Sequence, residues 1–266
     1  MSTRLPRSMT IAGSDSGAGA GLQADLKTFA ALQTFGTSAV TAVTAQNTRG
    51  VFGVEVMSPA FVLAQIDAIL DDIGVDAAKT GMLATAEIVA AVAERVRRGD
   101  IPNLVVDPVM VATSRDRLLT DDAVDTYRRE LIPRALVLTP NLDEAEILVG
   151  RELRTDEAIR DAARQIVDLG ARWVVMKGGH RPGGEVVDAL SDGKEFLEFR
   201  HPRIETTSTH GTGCTLAAAT VARLAHGDSV PGAVRAATDY VHGAIANAPA
   251  IGHGHGPLQH FWRWYS

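Results

Sequence analysis

The sequence THGTGCT at residues 209–215 runs directly into the alanine-rich sequence LAAATVA at residues 216–222. The glycines on either side of Thr212 free the backbone to turn, and the alanine-rich run favours a helix. A loop that enters a helix in this way brings unpaired N–H groups and the positive end of the helix dipole to one point, which suits an anion. Cys214 is expected to lie at that point. The alternative interpretation is an ordinary helix cap with a small buried cysteine.

The composition is that of a globular protein. The chain has 266 residues, of which 45% are hydrophobic and 22% are charged, values that suit one large domain or two small ones. Because no internal repeat or linker interrupts the sequence, we expect a single domain over residues 1–266. The formal net charge is −6 and no long run of lysine and arginine occurs, which argues against nucleic acid as the main partner.

The sequence predicts a cytoplasmic protein that does not enter a membrane. No apolar run reaches the ~18 residues that a membrane span needs, and no apolar signal-peptide core follows residues 1–7. The chain has one cysteine, Cys214, which excludes an internal disulfide and a cysteine-rich zinc site. Cys214 therefore either takes part in chemistry or is simply buried.

Strand-like and helix-like segments alternate along the chain. Residues 8–12 form an apolar run that enters the glycine-rich residues 13–21, and apolar residues then recur at helical spacing. The glycines fit the G-x-G-x-x-G pattern poorly, because Gly21 comes one residue early. The alternation continues to residues 230–246 and predicts a largely parallel sheet with helices on both faces. Ligands bind at the carboxyl ends of the strands in such sheets.

Polar side chains suited to phosphate chemistry follow several of the predicted strands. They are Gln46, Asp107, Asn141, Glu144 and Lys177. Phosphoryl transfer depends mostly on positioning and on neutralisation of charge. Lys177 can bind phosphate oxygens, and Asp107 and Glu144 can hold Mg²⁺ directly or through water. The backbone amides of residues 211–214 can receive the transferred anion.

With these residues in view, the chain resembles the ribokinase-like superfamily and, within it, the hydroxymethylpyrimidine/phosphomethylpyrimidine kinases of thiamine biosynthesis. The resemblance runs from Thr10 to the C-terminal tail. It rests on an ordered series of motifs: AGSD at residues 12–15, GLQADLKT at 21–28, TAQNT at 44–48, KTGML at 79–83, DPVM at 107–110, TPN at 139–141, MKGGH at 176–180 and HGTGCT at 210–215. It implies a three-layer α/β/α sandwich around a largely parallel central sheet.

The resemblance also implies an activity that depends on ATP and Mg²⁺. The substrate would be 4-amino-5-hydroxymethyl-2-methylpyrimidine and then its monophosphate, so that two successive phosphorylations give the pyrophosphate. Relatives are often dimers, which implies a homodimer. Cys214 matches the position at which this family replaces the superfamily's catalytic aspartate. A thiol at a helix N-terminus beside Lys177 is expected to have a lowered pKa, and could then accept a hydroxyl proton near neutral pH.

Roles for individual residues follow from the same motifs. The expected catalytic residues are Cys214, Lys177, Gly211, Thr212 and Gly213. The expected cofactor-binding residues are Lys177, Asn141 and Glu144, and the expected metal ligands are Asp107 and Glu144. The expected substrate-binding residues are Gly13, Asp25, Gln46, Met82 and Val109.

Some of these residues also have a plain structural interpretation. The amide of Gln46 can pair with a ring nitrogen and an exocyclic amine, or it can be satisfied by the backbone at a strand end. Met82 and Val109 either line the ring site or belong to the core. Asp25 either contributes to the pocket or forms a solvated ion pair with Lys27.

Two rival functions stay open. A pyridoxal or pyridoxine kinase on the same fold would also act on a hydroxymethyl group of a small heteroaromatic ring, and a non-catalytic nucleotide-binding protein could keep the fold. Residues 112–119 lack a hydrophobic period and are predicted to form a lid. Ala18 stands where many relatives have glycine, which should matter little. Arg115 stands at another frequent glycine position and is expected to alter closure of the lid.

Overall fold

The structure is a computed structural model that describes residues 4–110, 121–179 and 183–264. In chain order its strands are β1 (Arg7–Asp15), β2 (Phe35–Asn47), β3 (Gly50–Val56), β4 (Ala77–Thr80), β5 (Leu104–Val106), β6 (Val137–Leu138), β7 (Trp173–Met176), β8 (Glu185–Ser191) and β9 (Phe196–Pro202). Its helices are α1 (Gly21–Ala31), α2 (Pro59–Asp72), α3 (Ala86–Arg97), α4 (Asp121–Thr126), α5 (Leu142–Val149), α6 (Asp156–Asp168), α7 (Thr212–Ala225) and α8 (Val230–Ala246). The predicted lid, residues 112–119 with Arg115, lies outside the described residues.

The strands form one sheet in the order β3-β2-β1-β4-β5-β6-β7-β8-β9. The central pairs, from β2–β1 to β6–β7, are parallel. The pairs β2–β3, β7–β8 and β8–β9 at the two margins are antiparallel. The prediction of a largely parallel sheet is confirmed. Strand β3 was not predicted, and it pairs directly back onto the end of β2.

Helices cover both faces of the sheet, as predicted. Alternate residues of the central strands point to opposite faces: Val105, Val137 and Val175 pack with α1, α7 and α8. Their neighbours, among them Val106 and Leu138, pack with α2, α3, α5 and α6. These central strands are apolar on both sides because each side is buried. The architecture is the predicted three-layer α/β/α sandwich.

The helical segment at residues 121–134 is not one regular α-helix. Helix α4 is followed by a π-helical turn at Tyr127–Leu131 and a 3₁₀ turn at Ile132–Arg134. Pro133 has no backbone N–H and cannot continue an α-helix. The helical segment therefore ends in these two turns before β6 begins. Among the described helices, none is long and apolar enough to cross a membrane.

The parallel strands carry their carboxyl ends to one edge of the sheet, where the chain leaves them in loops. The loop after β1 leads into α1, and the residues after β6 and β7 meet in an isolated bridge between Asn141 and Lys177. Asp107 follows β5 directly, and its N–H donates to the carbonyl of Thr80 at the end of β4. The fold therefore gathers the polar residues singled out above at this edge.

Candidate active site

The carboxylate of Asp15 holds the glycine-rich loop at the end of β1. It accepts hydrogen bonds from the backbone N–H groups of Gly17, Gly19 and Ala20 at 2.8, 3.1 and 2.9 Å. It also contacts Nε2 of His210 at 2.9 Å. Burial alone would raise the pKa of Asp15, but the hydrogen bonds from His210 and the loop amides lower it below its ordinary value. The loop is thus organised around a buried carboxylate that is ionised at neutral pH.

The loop before α7 packs against this first loop. Gly211 precedes the first residue of α7 with a left-handed φ of 86°, and a Cβ atom there would collide with the carbonyl oxygen of Gly19. Both its conformation and this close approach require glycine. Thr212 Oγ1 donates to the carbonyl of Thr209 at 2.7 Å. In the described part of the chain no side chain caps the N-terminus of α7, so this end of the helix keeps the character of an anion site.

Lys177 connects that helix end to two carboxylates. Its Nζ lies 3.0 Å from Asp107 Oδ1 and 3.6 Å from Glu144 Oε2. A Cβ atom on Gly213 would lie 3.1 Å from the same Nζ, which places the first turn of α7 beside the lysine. The sequence separates these residues widely, and the strand ends bring them together.

Burial and mutual charge set the ionisation of this cluster. Burial by itself would raise the pKa of Asp107, but Lys177 and Lys79 hold it below its ordinary value. Burial raises the pKa of Glu144 to about 7, with a further rise from the Asp107 charge and an opposing effect of Lys177. Burial alone would lower the pKa of Lys177, but Asp107 and Glu144 raise it well above its usual range. Lys177 therefore carries a positive charge next to the anion site.

Asn141 and Glu144 also have a structural task. The N–H of Glu144 donates to Asn141 Oδ1 at 2.8 Å, and the N–H of Asn141 donates to Glu144 Oε2 at 2.7 Å. This reciprocal pair is a capping box at the start of α5. It fixes the Glu144 carboxylate beside Lys177, so helix capping and placement of the carboxylate are achieved by the same two hydrogen bonds.

Cys214 lies in the first turn of α7 and is half-buried. Burial raises the pKa of its thiol to about 11; the charge of Lys79 and the N–H of Gly21 oppose the rise, and Asp25 adds to it. The expectation of a lowered thiol pKa is wrong, because desolvation outweighs the nearby lysines. The resting thiol is protonated at neutral pH.

The expected substrate residues lie around the carboxyl ends of β1, β2, β4 and β5. A Cβ atom on Gly13 would lie 2.6 Å from Met82 Cε, so these two residues are in direct contact. Gln46 is half-buried at the end of β2. Its Oε1 lies 3.1 Å from Thr44 Oγ1, and its Nε2 lies 3.3 Å from His210 Nε2. Val109 follows Asp107 and is also half-buried.

Asp25 is placed differently from either expectation. It forms an ion pair with Lys79, with Asp25 Oδ1 and Oδ2 at 2.9 and 3.1 Å from Lys79 Nζ. Thr10 Oγ1 donates to Oδ2 at 2.6 Å. The solvated pair with Lys27 is wrong, because Asp25 is fully buried and Lys27 Nζ donates to the carbonyl of Ala18 instead. A direct contact of Asp25 with substrate stays a prediction, and it would need this buried arrangement to open.

Comparison with known proteins places the chain. The family model for phosphomethylpyrimidine kinase matches residues 15–259. The chain belongs to the phosphomethylpyrimidine kinase family. The hydroxymethylpyrimidine/phosphomethylpyrimidine kinase of Rhizobium meliloti (strain 1021) is 52% identical over 262 residues, which are 97% of this chain and 97% of that protein. Membership confirms the resemblance seen in the motifs.

Solved structures agree on the fold. The pyridoxal kinase from Staphylococcus aureus in complex with AMP-PCP and pyridoxal matches with a TM-score of 0.91 at 38% identity, over 98% of this chain and 95% of that one. Phosphomethylpyrimidine kinase from Clostridium difficile 630 matches with a TM-score of 0.81 at 39% identity, over 91% of this chain and all of that one. The ribokinase-like fold is confirmed.

Within this phosphomethylpyrimidine kinase family member, the sequence pattern missed three residues of the site region. Asp15 was not assigned a role, although an Asp followed two residues later by glycine is typical of a turn that the carboxylate closes. His210 was assigned no chemistry, yet it joins Asp15 to Gln46. Lys79 lies in a quoted motif, but no local signal pairs it with Asp25.

Proposed function

We propose that the chain is an ATP-dependent kinase that phosphorylates the hydroxymethyl group of 4-amino-5-hydroxymethyl-2-methylpyrimidine and then its monophosphate. The observation that carries this proposal is the convergence of Lys177, Asp107 and Glu144 beside Gly213 in the first turn of α7. A half-buried cation, two carboxylates and an uncapped helix end are the parts that phosphoryl transfer uses. Membership of the phosphomethylpyrimidine kinase family supports the same activity.

In this proposal the transferred phosphoryl group lies at the N-terminus of α7. The amides of Gly211, Thr212 and Gly213 would receive its oxygens, and Lys177 would neutralise the charge that develops in the transition state. Cys214, in the same turn, would accept the proton of the substrate hydroxyl. Because its thiol is protonated at rest, that step requires the thiol first to lose its own proton to solvent, so that a thiolate is present when the substrate hydroxyl is deprotonated.

We further propose that Lys177, Asn141 and Glu144 bind the nucleotide and that Asp107 and Glu144 hold Mg²⁺. The fit is chemical: both carboxylates approach the same Nζ, and Mg²⁺ prefers such oxygen ligands. In the described residues no three His, Cys, Asp or Glu side chains cluster as a complete metal site, so water and phosphate oxygens would supply the other ligands. When bound, the ion would offset negative charge on the phosphate oxygens.

The substrate pocket in this proposal is formed by Gly13, Gln46, Met82 and Val109. Met82 and Val109 would pack against the two faces of the pyrimidine, and Gly13 would allow the ring to approach the backbone. Gln46 would pair with the ring nitrogen and the exocyclic amine. Asp25, which is buried against Lys79, would contact the substrate only if this ion pair opened.

The assembly and location are proposed by family analogy. We infer a single-domain homodimer, supported by the edge strand β3, where Phe52 is 71% exposed and Val54 and Val56 are 45% and 44% exposed. An apolar surface on an edge strand favours association. Sedimentation of wild type and of Phe52→Ser tests this: loss of the dimer in the variant supports β3 as the interface. We place the enzyme in the cytoplasm, where ATP is available.

A coupled assay of ADP release tests the activity. Hydroxymethylpyrimidine, its monophosphate, pyridoxine and ribose are compared side by side, with Lys177→Met as a matched control that keeps most of the side-chain volume. We expect turnover of both pyrimidines and little with ribose. Preference for pyridoxine would assign the rival kinase activity, which the similarity to pyridoxal kinase from Staphylococcus aureus keeps in view. No turnover with any acceptor would favour the non-catalytic alternative.

A further inference from the structure

A chain of polar contacts connects the first glycine loop to the end of β2. Asp15 Oδ2 lies 2.9 Å from His210 Nε2, and the same ring nitrogen lies 3.3 Å from the amide nitrogen Nε2 of Gln46. The ring of His210 packs so closely on Gly19 that a Cβ atom there would collide with it. His210 is therefore held in place from both sides, and Gln46 meets a fixed ring nitrogen.

The carboxylate of Asp15 determines that Nε2 of His210 carries a proton. An ionised carboxylate can only accept hydrogen bonds, so the 2.9 Å contact requires a proton on Nε2 of His210. This holds whether the imidazole is neutral or charged. A protonated Nε2 has no lone pair to accept from an amide N–H, and its one proton is already directed mainly at Asp15. The favourable amide atom to face it is therefore the oxygen, Oε1, and not the nitrogen that lies there in the structure.

Thr44 gives a second, independent constraint. Its hydroxyl lies 2.9 Å from the carbonyl oxygen of Ser14 and 3.1 Å from Gln46 Oε1, and both of these oxygens can only accept. A hydroxyl has one proton to donate, and the shorter contact to Ser14 uses it. With that proton used, Thr44 Oγ1 can only accept from Gln46, so the favourable amide atom to face it is the nitrogen, Nε2, which is the reverse of the placement with Oε1 on the Thr44 side. Amide oxygen and nitrogen are assigned from such networks, and both neighbours give the same assignment.

We propose that His210, held by Asp15, acts with Thr44 as a positioning residue that fixes the amide orientation of Gln46 and so determines which way round an aminopyrimidine ring binds. This inference rests on the proposed role of Gln46 in substrate binding. With Oε1 of Gln46 on the His210 side and Nε2 on the Thr44 side, the free lone pair of Oε1 accepts from the exocyclic amine of the substrate. The free N–H donates to the adjacent ring nitrogen.

The orientation has a consequence for the reacting group. In 4-amino-5-hydroxymethyl-2-methylpyrimidine the order around the ring is ring nitrogen, amine-bearing carbon, then the carbon with the hydroxymethyl group. The hydroxymethyl group therefore lies on the amine side, which is the His210 side. His210 leads directly into Gly211 and Cys214 at the start of α7. The reverse amide orientation would turn the hydroxymethyl group towards β2 and away from the phosphate site.

The test compares two ring edges that exchange donor and acceptor. The 4-amino substrate presents a ring acceptor and an amine donor, whereas the 4-oxo analogue presents a ring N–H donor and an oxygen acceptor. We expect wild type to prefer the amino compound by at least 100-fold in kcat/KM. His210→Phe keeps a ring against Gly19 but removes the donor, so the amide of Gln46 can rotate. In this variant we expect the ratio of kcat/KM for the amino compound to kcat/KM for the oxo analogue to fall at least tenfold. Activity on the oxo analogue should rise, and the KM for ATP should change by no more than about twofold.

Matched variants separate positioning from simple packing. His210→Gln keeps an N–H donor near Asp15 and is expected to restore most of the preference. If His210→Phe does not fold, Thr44→Val carries the test, because it removes the acceptor on the other side, and Thr44→Ser is its control. A parallel loss on both ring types with an unchanged ratio would show that His210 only packs, and would overturn the inference.

The inference and the proposed activity can fail separately. Wild type that does not phosphorylate the aminopyrimidine contradicts the activity, whatever the variants do. Calorimetric binding of the amino and oxo compounds to the same proteins then measures ring preference without turnover. A wild-type preference that His210→Phe abolishes supports the inference. Absence of any preference in wild type overturns it.

Discussion

Lys79 Nζ lies 2.9 Å from Asp25 Oδ1, and neither side chain exposes any surface to solvent. The hydroxyl of Thr10 donates to the same carboxylate. Burial alone would lower the pKa of Lys79, but Asp25 and other acidic groups near it raise it well above its usual range. The two side chains thus form a buried ion pair, and the charge of Lys79 opposes the rise in the pKa of the Cys214 thiol.

Removing one partner of this pair is expected to be far worse than removing both. Asp25→Asn leaves the charge of Lys79 buried without compensation, which should lower the free energy of unfolding by roughly 3–5 kcal/mol. The double variant Asp25→Leu/Lys79→Met removes both charges and should recover much of that loss. Urea denaturation of Asp25→Leu, of Lys79→Met and of the double variant measures the coupling. A loss below about 1 kcal/mol in Asp25→Asn would show that the pair is not needed for stability.

Ala18 adopts a left-handed backbone conformation with φ of 59°. This conformation costs an L-residue with a Cβ about 1–2 kcal/mol, whereas glycine loses more backbone freedom on folding, by about 0.4–1 kcal/mol. We expect Ala18→Gly to raise the free energy of unfolding by about 0.5–1 kcal/mol. Ala20→Gly is the matched control in the same loop. Ala20 has φ of −134°, so glycine relieves no strain there and this variant should have a lower free energy of unfolding. Equal destabilisation of both variants would contradict the reasoning.

Hydrophobic periodicity was sufficient for the architecture because most elements are long or regularly patterned. The short strand β5 and helix α5 are both flanked by polar or turn residues that mark their ends in the sequence. Strand β3 was missed because Gly50 and Gly53 interrupt its pattern and most of its side chains are exposed. It is stabilised by pairing with β2 and not by its own burial, which no local pattern reveals.

The site could be predicted in part, and the limit is again physical. Asp107, Glu144 and Lys177 were found because each follows a strand in a parallel sheet, and such strand ends share one edge. The predicted partner of Asp25, Lys27, was wrong, because Lys27 is close in sequence whereas the observed partner, Lys79, is 54 positions away. The predicted direction of the pKa shift of the Cys214 thiol was wrong, because a sequence shows nearby charges but not the desolvation that dominates here.

His260 links the C-terminal segment to the first turn of α7. It is 2% exposed, and its Nε2 lies 3.1 Å from Thr215 Oγ1, directly after Cys214. Burial, helped by the charge of Lys27, lowers the pKa of His260 to about 4. Between pH 6.5 and 4 the unfolded chain therefore binds a proton at this position that the folded protein does not bind.

This difference predicts that the free energy of unfolding falls as the pH is lowered. Below pH 6.5 the His260 contribution should lower the free energy of unfolding progressively, by up to roughly 3 kcal/mol near pH 4, and it should be absent above pH 7. His260→Gln removes the titration and should flatten this part of the pH dependence. His253→Gln, at an exposed histidine, is the matched control and should keep the wild-type slope. Identical slopes in wild type and His260→Gln would contradict the prediction.

Cys214 is the residue at which base catalysis and electrostatic catalysis make different predictions. With a thiol pKa of about 11, the thiolate is a small minority near neutral pH and increases tenfold with each pH unit. Iodoacetamide labelling of this single cysteine should therefore accelerate steadily from pH 7 to pH 9 without a plateau. A plateau below pH 9 would show that the thiol is more acidic than its burial implies.

The same reasoning applies to turnover. If Cys214 is the base, kcat should rise with pH over this range. Cys214→Ser should then lose most of kcat, while Cys214→Asp should retain more, because a carboxylate accepts a proton near neutral pH and a serine hydroxyl does not. If Lys177 and the α7 amides supply most of the catalysis, Cys214→Ser and Cys214→Ala should both stay within about tenfold of wild type, a barrier change of only ~1.4 kcal/mol. In that case kcat should also be flat with pH, because electrostatic stabilisation by a lysine charged throughout the range does not depend on a thiolate. The order Asp above Ser, together with a rising pH profile, would assign the proton transfer to Cys214.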